Sequence, residues 1–113
     1  MEFRGTVGVG KGYGRTLGFP TANIPLTDSS VSGIYAAVVR VDGEDFPAAV
    51  YADPSRSVLE AHLIDWVGDI YGKEIVVILK DKVRDSEEFP DELALMAAIA
   101  SDVGFIRESF KKK

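Results

Sequence analysis

The chain has 113 residues, of which 46% are hydrophobic, so its length and composition predict one packed domain spanning residues 1–113. Its net charge of −5 argues against a broad surface for nucleic acid or for an anionic membrane. The absence of cysteine and the single histidine exclude disulfides, thiolate metal sites and histidine-cluster metal sites.

The first element is a glycine-rich segment, with a glycine at every second position from Gly8 to Gly14. Glycines let a loop adopt positive φ and bring backbone N–H groups close to an anion. Lys11 and Arg15 add cations, so the segment indicates phosphate binding. A glycine-rich hairpin without a ligand fits the composition equally well. The two common nucleotide fingerprints are absent in their usual form.

Pro20-Thr21-Ala22-Asn23 follows the glycines. The Thr21 hydroxyl and the Asn23 amide carbonyl are hard oxygen ligands of the kind that magnesium accepts. Taken together, the two segments indicate a nucleotide phosphate with a metal.

Short runs with β character come next, separated by turn-rich segments. They are Ile34 to Val41, Phe46 to Tyr51, Val58 to Trp66 and Glu74 to Leu79. Asp42-Gly43 between the first two is a strong hairpin signal. Turns this frequent predict an antiparallel barrel or sandwich.

The third run alternates, with Leu59, Ala61 and Leu63 on one face and Glu60, His62 and Ile64 on the other. The pattern does not show which face is interior. A glutamate on a strand is usually a solvent-facing residue, and a lone histidine is more often structural or orienting than catalytic. Trp66 is interpreted as core rather than as a base-stacking residue.

The last element is a helix from about residue 91 to 111, because apolar residues recur at three- and four-residue spacing. They are Leu95, Ile99, Val103, Ile106 and Phe110. Asp91 is positioned to cap the N-terminus, and the terminal lysines favour the C-terminus. The helix is expected to plug or cover the barrel.

Five ordered motifs resemble riboflavin kinases over about residues 5–110. They are Gly14-Arg15-Thr16-Leu17-Gly18-Phe19-Pro20-Thr21-Ala22-Asn23, Gly33-Ile34-Tyr35-Ala36, Leu59-Glu60-Ala61-His62-Leu63-Ile64-Asp65, Asp69-Ile70-Tyr71-Gly72 and Val83-Arg84-Asp85 with Phe89. The resemblance implies a six-stranded antiparallel Greek-key barrel with a C-terminal helix. It also implies transfer of the ATP γ-phosphoryl group to the ribityl 5′-hydroxyl of riboflavin, giving FMN and ADP.

The resemblance assigns roles to individual residues. Glu60 matches the catalytic glutamate, and Thr21 and Asn23 match the pair that binds Mg²⁺. The positions that match ATP-binding residues are Gly10, Lys11, Gly12, Arg15, Thr21, Leu63, Asp65 and Tyr71. Arg84 and Phe89 match positions that hold the flavin.

Two departures from the family pattern are visible. Glu87 and Glu88 stand where relatives often carry lysine or another polar residue, which bears on flavin contacts. The segment 52–57 is shorter than the family's usual loop, which takes part in closing the active site, so turnover and affinity are expected to differ.

The alternatives are a non-catalytic flavin- or nucleotide-binding module on the same barrel, and a structural or protein-interaction barrel. A stand-alone kinase and an excised module of a bifunctional enzyme both fit the length. No apolar run approaches the roughly 20 residues that span a bilayer, and no signal peptide opens the chain. We therefore expect a cytoplasmic monomer with riboflavin and ATP as substrates and no nucleic-acid or membrane partner.

Overall fold

The computed structural model describes residues 1–8, 21–66 and 70–111. Six strands and one helix follow one another within these ranges. They are β1 (Glu2–Thr6), β2 (Ala22–Pro25), β3 (Gly33–Val41), β4 (Glu44–Asp53), β5 (Val58–Leu63), β6 (Glu74–Arg84) and α1 (Glu92–Lys111). None of the helical structure described is both long and apolar enough to cross a membrane.

The strands form one antiparallel sheet in the order β1-β6-β3-β4-β5-β2. Strands β3, β4 and β5 are consecutive neighbours and β6 returns to lie beside β3, which is the Greek-key arrangement. The two edge strands meet where the Gly8 N–H donates to the Asn23 carbonyl at 2.9 Å. The predicted six-stranded, nearly closed antiparallel barrel with a C-terminal helix is therefore confirmed.

The barrel interior is filled by alternate residues of the strands, as expected when successive side chains point to opposite faces. The largest fully buried interior side chains are Ile24, Val39, Val50, Leu59, Ile75 and Val77. On β5 the apolar face of Leu59, Ala61 and Leu63 is the interior one, so Glu60 points outward. Trp66 packs against this core, edge-on to Phe46 with ring centroids 6.4 Å apart, which confirms its core role.

The helix covers the outer face of the barrel instead of plugging its interior. Val103 and Ile106 of α1 form a second apolar cluster with Ala36 of β3 and with Ile64, which follows β5. The Ala94 N–H donates to Asp91 Oδ1 at 2.8 Å, so the predicted cap is confirmed. Because part of the outer face is also apolar, β3 has buried residues on both faces.

Two strand ends differ from the sequence prediction. Strand β5 ends at Leu63, three residues before Trp66, because Asp65 adopts a φ of 59° and turns the chain. Strand β6 continues past Leu79 to Arg84, because β3 pairs with Lys82 and Arg84 beyond a bulge. The charged residues of this extension hid the strand from a hydrophobicity pattern.

Positive φ angles occur where the fold needs them. Asp42 and Gly43, at 52° and 82°, form the predicted tight turn between β3 and β4. Gly33 has a φ of 102°, and a Cβ there would lie 2.7 Å from the Arg84 carbonyl oxygen. Only glycine fits this position without moving the end of β6, so Gly33 helps to place Arg84.

Candidate active site

A single row of cross-strand partners runs over five strands of the barrel. Asn23 of β2 lies opposite Glu60 of β5, and Glu60 lies opposite Tyr51 of β4. Tyr51 lies opposite Ile34 of β3, which in turn lies opposite Arg84 of β6. Directly opposed residues in antiparallel strands are close neighbours. The row therefore brings together residues up to 61 positions apart, from Asn23 to Arg84.

A cleft lies over this row, between the sheet and α1. Four of the residues to which the resemblance assigns a role line it: Thr21, Glu60, Arg84 and Phe89. The other lining residues are Ile34, Ala49, Val50, Tyr51, His62, Ser86, Glu87, Leu95, Ile99 and Asp102. The arrangement offers an apolar wall from the sheet and the helix, with a carboxylate and a guanidinium at its sides. Such a combination suits a flat, largely apolar ligand that carries a few polar groups.

Glu60 is held by a neighbouring arginine. The Arg56 Nη2 donates to Glu60 Oε1 at 3.0 Å, and the Arg56 Nε donates to Asp53 Oδ2 at 2.6 Å. The Glu60 side chain is 24% exposed, so the carboxylate is reachable from the cleft while its partner fixes one oxygen. Sequence reasoning did not select Arg56, although its spacing of four residues before Glu60 was visible.

Arg84 is fixed by Asp102 of α1. Its Nε and Nη2 donate to the two Asp102 carboxylate oxygens at 3.0 and 2.7 Å, and its Nη1 donates to the Asp85 carbonyl at 3.1 Å. The hydrogen bonds to Asp102 raise the pKa of the guanidinium above its already high value. The guanidinium carbon also lies 5.8 Å from the Phe89 ring centroid. Arg84 thus ties β6, the following loop and the helix into one wall of the cleft.

Asp102 and Tyr51 are functional candidates that sequence reasoning missed. Asp102 is a buried acidic residue next to the apolar positions of the helix. Its burial is explained by its ion pair with Arg84. Tyr51 follows Val50 on β4, and alternation places it on the outer face with Glu60. The alternation on β4 could therefore have identified Tyr51 from the sequence, whereas no sequence feature pointed to Asp102.

Asn23 carries an unusual buried atom. Its Oδ1 is buried and has no hydrogen-bond partner among the described residues. A buried acceptor without a partner is costly unless a further group binds it. An amide oxygen two residues after a threonine hydroxyl, that of Thr21, suits a hard cation such as Mg²⁺. No cluster of three or more acidic, histidine or cysteine side chains that could hold a metal occurs in the described parts of the chain. The donor set present therefore fits a cation that arrives with the negative charge of a nucleotide.

Three other predicted site residues that the structure describes, Leu63, Asp65 and Tyr71, do not line this cleft. Leu63 is 5% exposed and lies in the barrel interior. Asp65 is exposed and accepts from Arg107 Nη2 and Nε at 2.8 and 3.1 Å. Tyr71 is 37% exposed. The predicted phosphate-binding residues, Gly10, Lys11, Gly12 and Arg15, lie outside the described residues.

The two departures noted in the sequence take definite positions. Glu87 lines the cleft, with its Oε1 3.6 Å from Arg84 Nη1, so it adds negative charge at the wall that Arg84 forms. Glu88 is exposed. The short segment after β4 is a compact turn in which Asp53 Oδ1 accepts from the backbone and the hydroxyl of Ser55 at 3.1 and 2.6 Å.

Comparison with known proteins gives the family. A family model described as riboflavin kinase matches residues 1–110. The chain belongs to the riboflavin kinase family. The bifunctional riboflavin kinase/FMN adenylyltransferase of Escherichia coli strain K12 is 42% identical over 115 residues, covering 94% of this chain and 37% of that protein. The chain therefore spans little more than a third of the length of this relative.

Solved structures give the same fold for this member of the riboflavin kinase family. The crystal structure of riboflavin kinase from Trypanosoma brucei matches with a TM-score of 0.69 at 28% identity, over 98% of this chain and 80% of that one. A crystal structure titled macrolide-efflux protein, from Streptococcus pneumoniae, matches with a TM-score of 0.81 at 28% identity, over 94% of this chain and 38% of that one.

Proposed function

We propose that this chain transfers the γ-phosphoryl group of ATP to the 5′-hydroxyl of riboflavin, giving FMN and ADP. The observation that carries the proposal is the cross-strand row from Asn23 through Glu60 to Arg84. This row places three groups on one continuous face of the sheet. They are the Asn23 amide oxygen, which is a donor that metals accept, the Glu60 carboxylate, and the Arg84 guanidinium on the proposed flavin side. Family membership supplies the reaction to which this order of groups corresponds.

Glu60 is the proposed general base. The ribityl oxygen attacks the γ-phosphorus while its proton passes to the Glu60 carboxylate. A bond forms between the ribityl oxygen and phosphorus, and the bond from phosphorus to the β-phosphate oxygen breaks, so ADP leaves. Phosphoryl transfer depends mainly on alignment and charge neutralisation, and the base needs only to be correctly placed.

Thr21 and Asn23 are the proposed ligands of Mg²⁺. The buried and unpartnered Asn23 Oδ1 supports this role, because a cation would supply the missing interaction. When bound, the ion supplies positive charge to the nucleotide phosphates. Gly10, Lys11, Gly12 and Arg15 remain the proposed phosphate contacts. Leu63 through its backbone, together with Asp65 and Tyr71, remains the proposed adenine side.

The flavin is proposed to occupy the cleft beside α1. Phe89 packs against the isoalloxazine ring, and Arg84, held by Asp102, orients that wall. Leu95 and Ile99 of the helix provide the apolar floor. Excluding water from this side favours transfer to riboflavin over hydrolysis of ATP. A monomer that acts in the cytoplasm remains the expectation.

The test is FMN formation from riboflavin, ATP and Mg²⁺, measured by chromatography with fluorescence detection. We expect Glu60→Gln to retain flavin binding and to lose about 100-fold or more in kcat, because a positioned base contributes that much. Thr21→Ala and Asn23→Ala are expected to raise the Mg²⁺ concentration needed for half-maximal rate about tenfold or more. Glu44→Gln, in the distant β3–β4 hairpin, is the matched control for the loss of one carboxylate.

Wild-type rates in Glu60→Gln would overturn the base assignment. Saturable flavin binding without FMN formation by the wild-type chain would favour the non-catalytic binding module. A wild-type chain that neither binds flavin nor forms FMN would contradict the proposed function as a whole.

A further inference from the structure

Arg56 forms a bridge between two carboxylates beside the cleft. Its Nη2 lies 3.0 Å from Glu60 Oε1 and its Nε lies 2.6 Å from Asp53 Oδ2. Asp53 is the last residue of β4 and Glu60 is the third residue of β5. The guanidinium therefore spans the turn that connects the two strands and links the end of one to the functional position of the other.

The anchor of this bridge is itself well held. Asp53 Oδ1 accepts from the Ser55 backbone and hydroxyl, and the Asp53 side chain is 13% exposed. The turn is also fastened to the end of β2, because the Leu26 N–H donates to the Ser57 carbonyl at 2.9 Å. An arginine fork fixed at one end by Asp53 has little freedom left when it binds Glu60.

Arg56 does not line the cleft, whereas Glu60 does. The contact through which Arg56 can act on a ligand in the cleft is therefore its hydrogen bond to the Glu60 carboxylate. The hydrogen bond from Arg56 to Oε1 restrains the rotation of the Glu60 carboxylate.

We propose that Arg56, anchored by Asp53, is the positioning residue of Glu60, and that the short turn 54–57 serves to hold it there. The inference rests on the proposed function, because it assigns Glu60 the role of base. It also gives the shortened segment after β4 a definite role, which its length alone did not suggest. A general base that is misplaced by a fraction of an ångström loses much of its effect.

The test is a double-mutant cycle with Arg56→Met and Glu60→Gln, using kcat and both KM values. We expect Arg56→Met alone to lower kcat about tenfold and to leave KM for riboflavin and for ATP within about twofold. In the Glu60→Gln background, Arg56→Met is expected to change kcat by less than about twofold, because the group it positions is absent. Arg56→Lys should restore part of the lost rate.

Arg40→Met is the matched control, because Arg40 forms a comparable pair with Asp45, at 2.8 Å, in the β3–β4 hairpin. It should leave kcat unchanged. If Arg56→Met does not fold, the double-mutant cycle is repeated with Arg56→Lys and Glu60→Gln. Arg56→Lys is then expected to reduce kcat only when Glu60 is present.

Equal effects of Arg56→Met with and without Glu60 would overturn the inference and indicate a structural role. A rise in KM for ATP would also overturn it and indicate that Arg56 contacts phosphate. If Glu60→Gln keeps wild-type turnover, the base assignment fails and the inference falls with it. If Glu60→Gln loses turnover while Arg56→Met keeps it, the inference alone fails.

Discussion

Asp102 of the helix accepts two hydrogen bonds from the guanidinium of Arg84 on β6, at 3.0 and 2.7 Å. The two side chains are only 11% and 25% exposed. A paired fork of this kind is geometrically specific as well as strong. It fastens α1 to the barrel at the edge of the cleft, so the same contact bears on stability and on the proposed flavin site.

We expect Asp102→Asn to lower the free energy of unfolding by about 1–3 kcal/mol, because it leaves a partly buried guanidinium without its counter-charge. It should also raise KM for riboflavin more than it lowers kcat, because the displaced wall is the proposed flavin-binding wall and has no proposed part in phosphoryl transfer. Urea denaturation and steady-state kinetics measure the two effects. Glu108→Gln is the control, because Glu108 forms an exposed pair with Lys111 at 3.6 Å on the same helix. Equal losses of stability in the two variants would contradict the prediction.

We expect Asp53 to contribute to the loss of folded-state stability at low pH. Hydrogen bonds from the Ser55 hydroxyl, and then from Arg56, lower the pKa of Asp53 in the folded state below its ordinary value. A lowered pKa stabilises the folded state above the unfolded-state pKa of about 4, and this contribution is lost as the pH falls through the folded pKa. We therefore expect the difference in Tm between wild type and Asp53→Asn to be largest near pH 6–7 and to shrink below about pH 4.

Asp28→Asn is the matched control for Asp53→Asn. Asp28 accepts from the backbone and hydroxyl of Ser30 at 2.9 and 2.6 Å, in the same pattern as Asp53 with Ser55. Hydrogen bonds from Ser30 likewise lower the pKa of Asp28, whereas at Asp53 Arg56 adds to the effect of Ser55. The pH-dependent difference should therefore be smaller for Asp28→Asn. A difference in Tm for Asp53→Asn that stays constant from pH 7 to pH 3 would refute the assignment.

The packing of α1 on the barrel is tested at Ile106. This side chain is fully buried and packs in the cluster with Ala36, Ile64 and Val103. We expect Ile106→Ala to lower the free energy of unfolding by about 2–5 kcal/mol, because it removes buried methylene groups and leaves a cavity. Phe105→Ala, next in the chain and 63% exposed, should change it by less than about 1 kcal/mol. Similar losses in both variants would mean that α1 is not docked as described.

Several local features followed from the sequence because neighbouring residues decide them. The alternation of β5 put Glu60 and His62 on one face, Asp42-Gly43 marked the tight turn, and Asp91 marked the start of the helix. The motifs also identified the family, which the comparisons confirmed. The roles of individual residues that came from the resemblance stay predictions.

Patterns of neighbouring residues did not predict the structure where residues distant in the chain determine it. The continuation of β6 to Arg84 depends on its pairing with β3, and β1 and β2 are too short to stand out in the sequence. Burial on both faces of β3 follows from the helix that covers the barrel.

The alternation on β5, the turn, the cap and the family follow from the sequence alone, because each depends on nearby residues or on ordered motifs. That the face bearing Glu60 is the outer one follows only from the folded barrel, because the choice of face depends on barrel closure. The folded structure also decided that Asp102 meets Arg84, since the charge of each gives no indication of a partner 18 positions away. The row from Asn23 to Arg84 exists only through strand register, which hydrogen bonding between distant segments fixes.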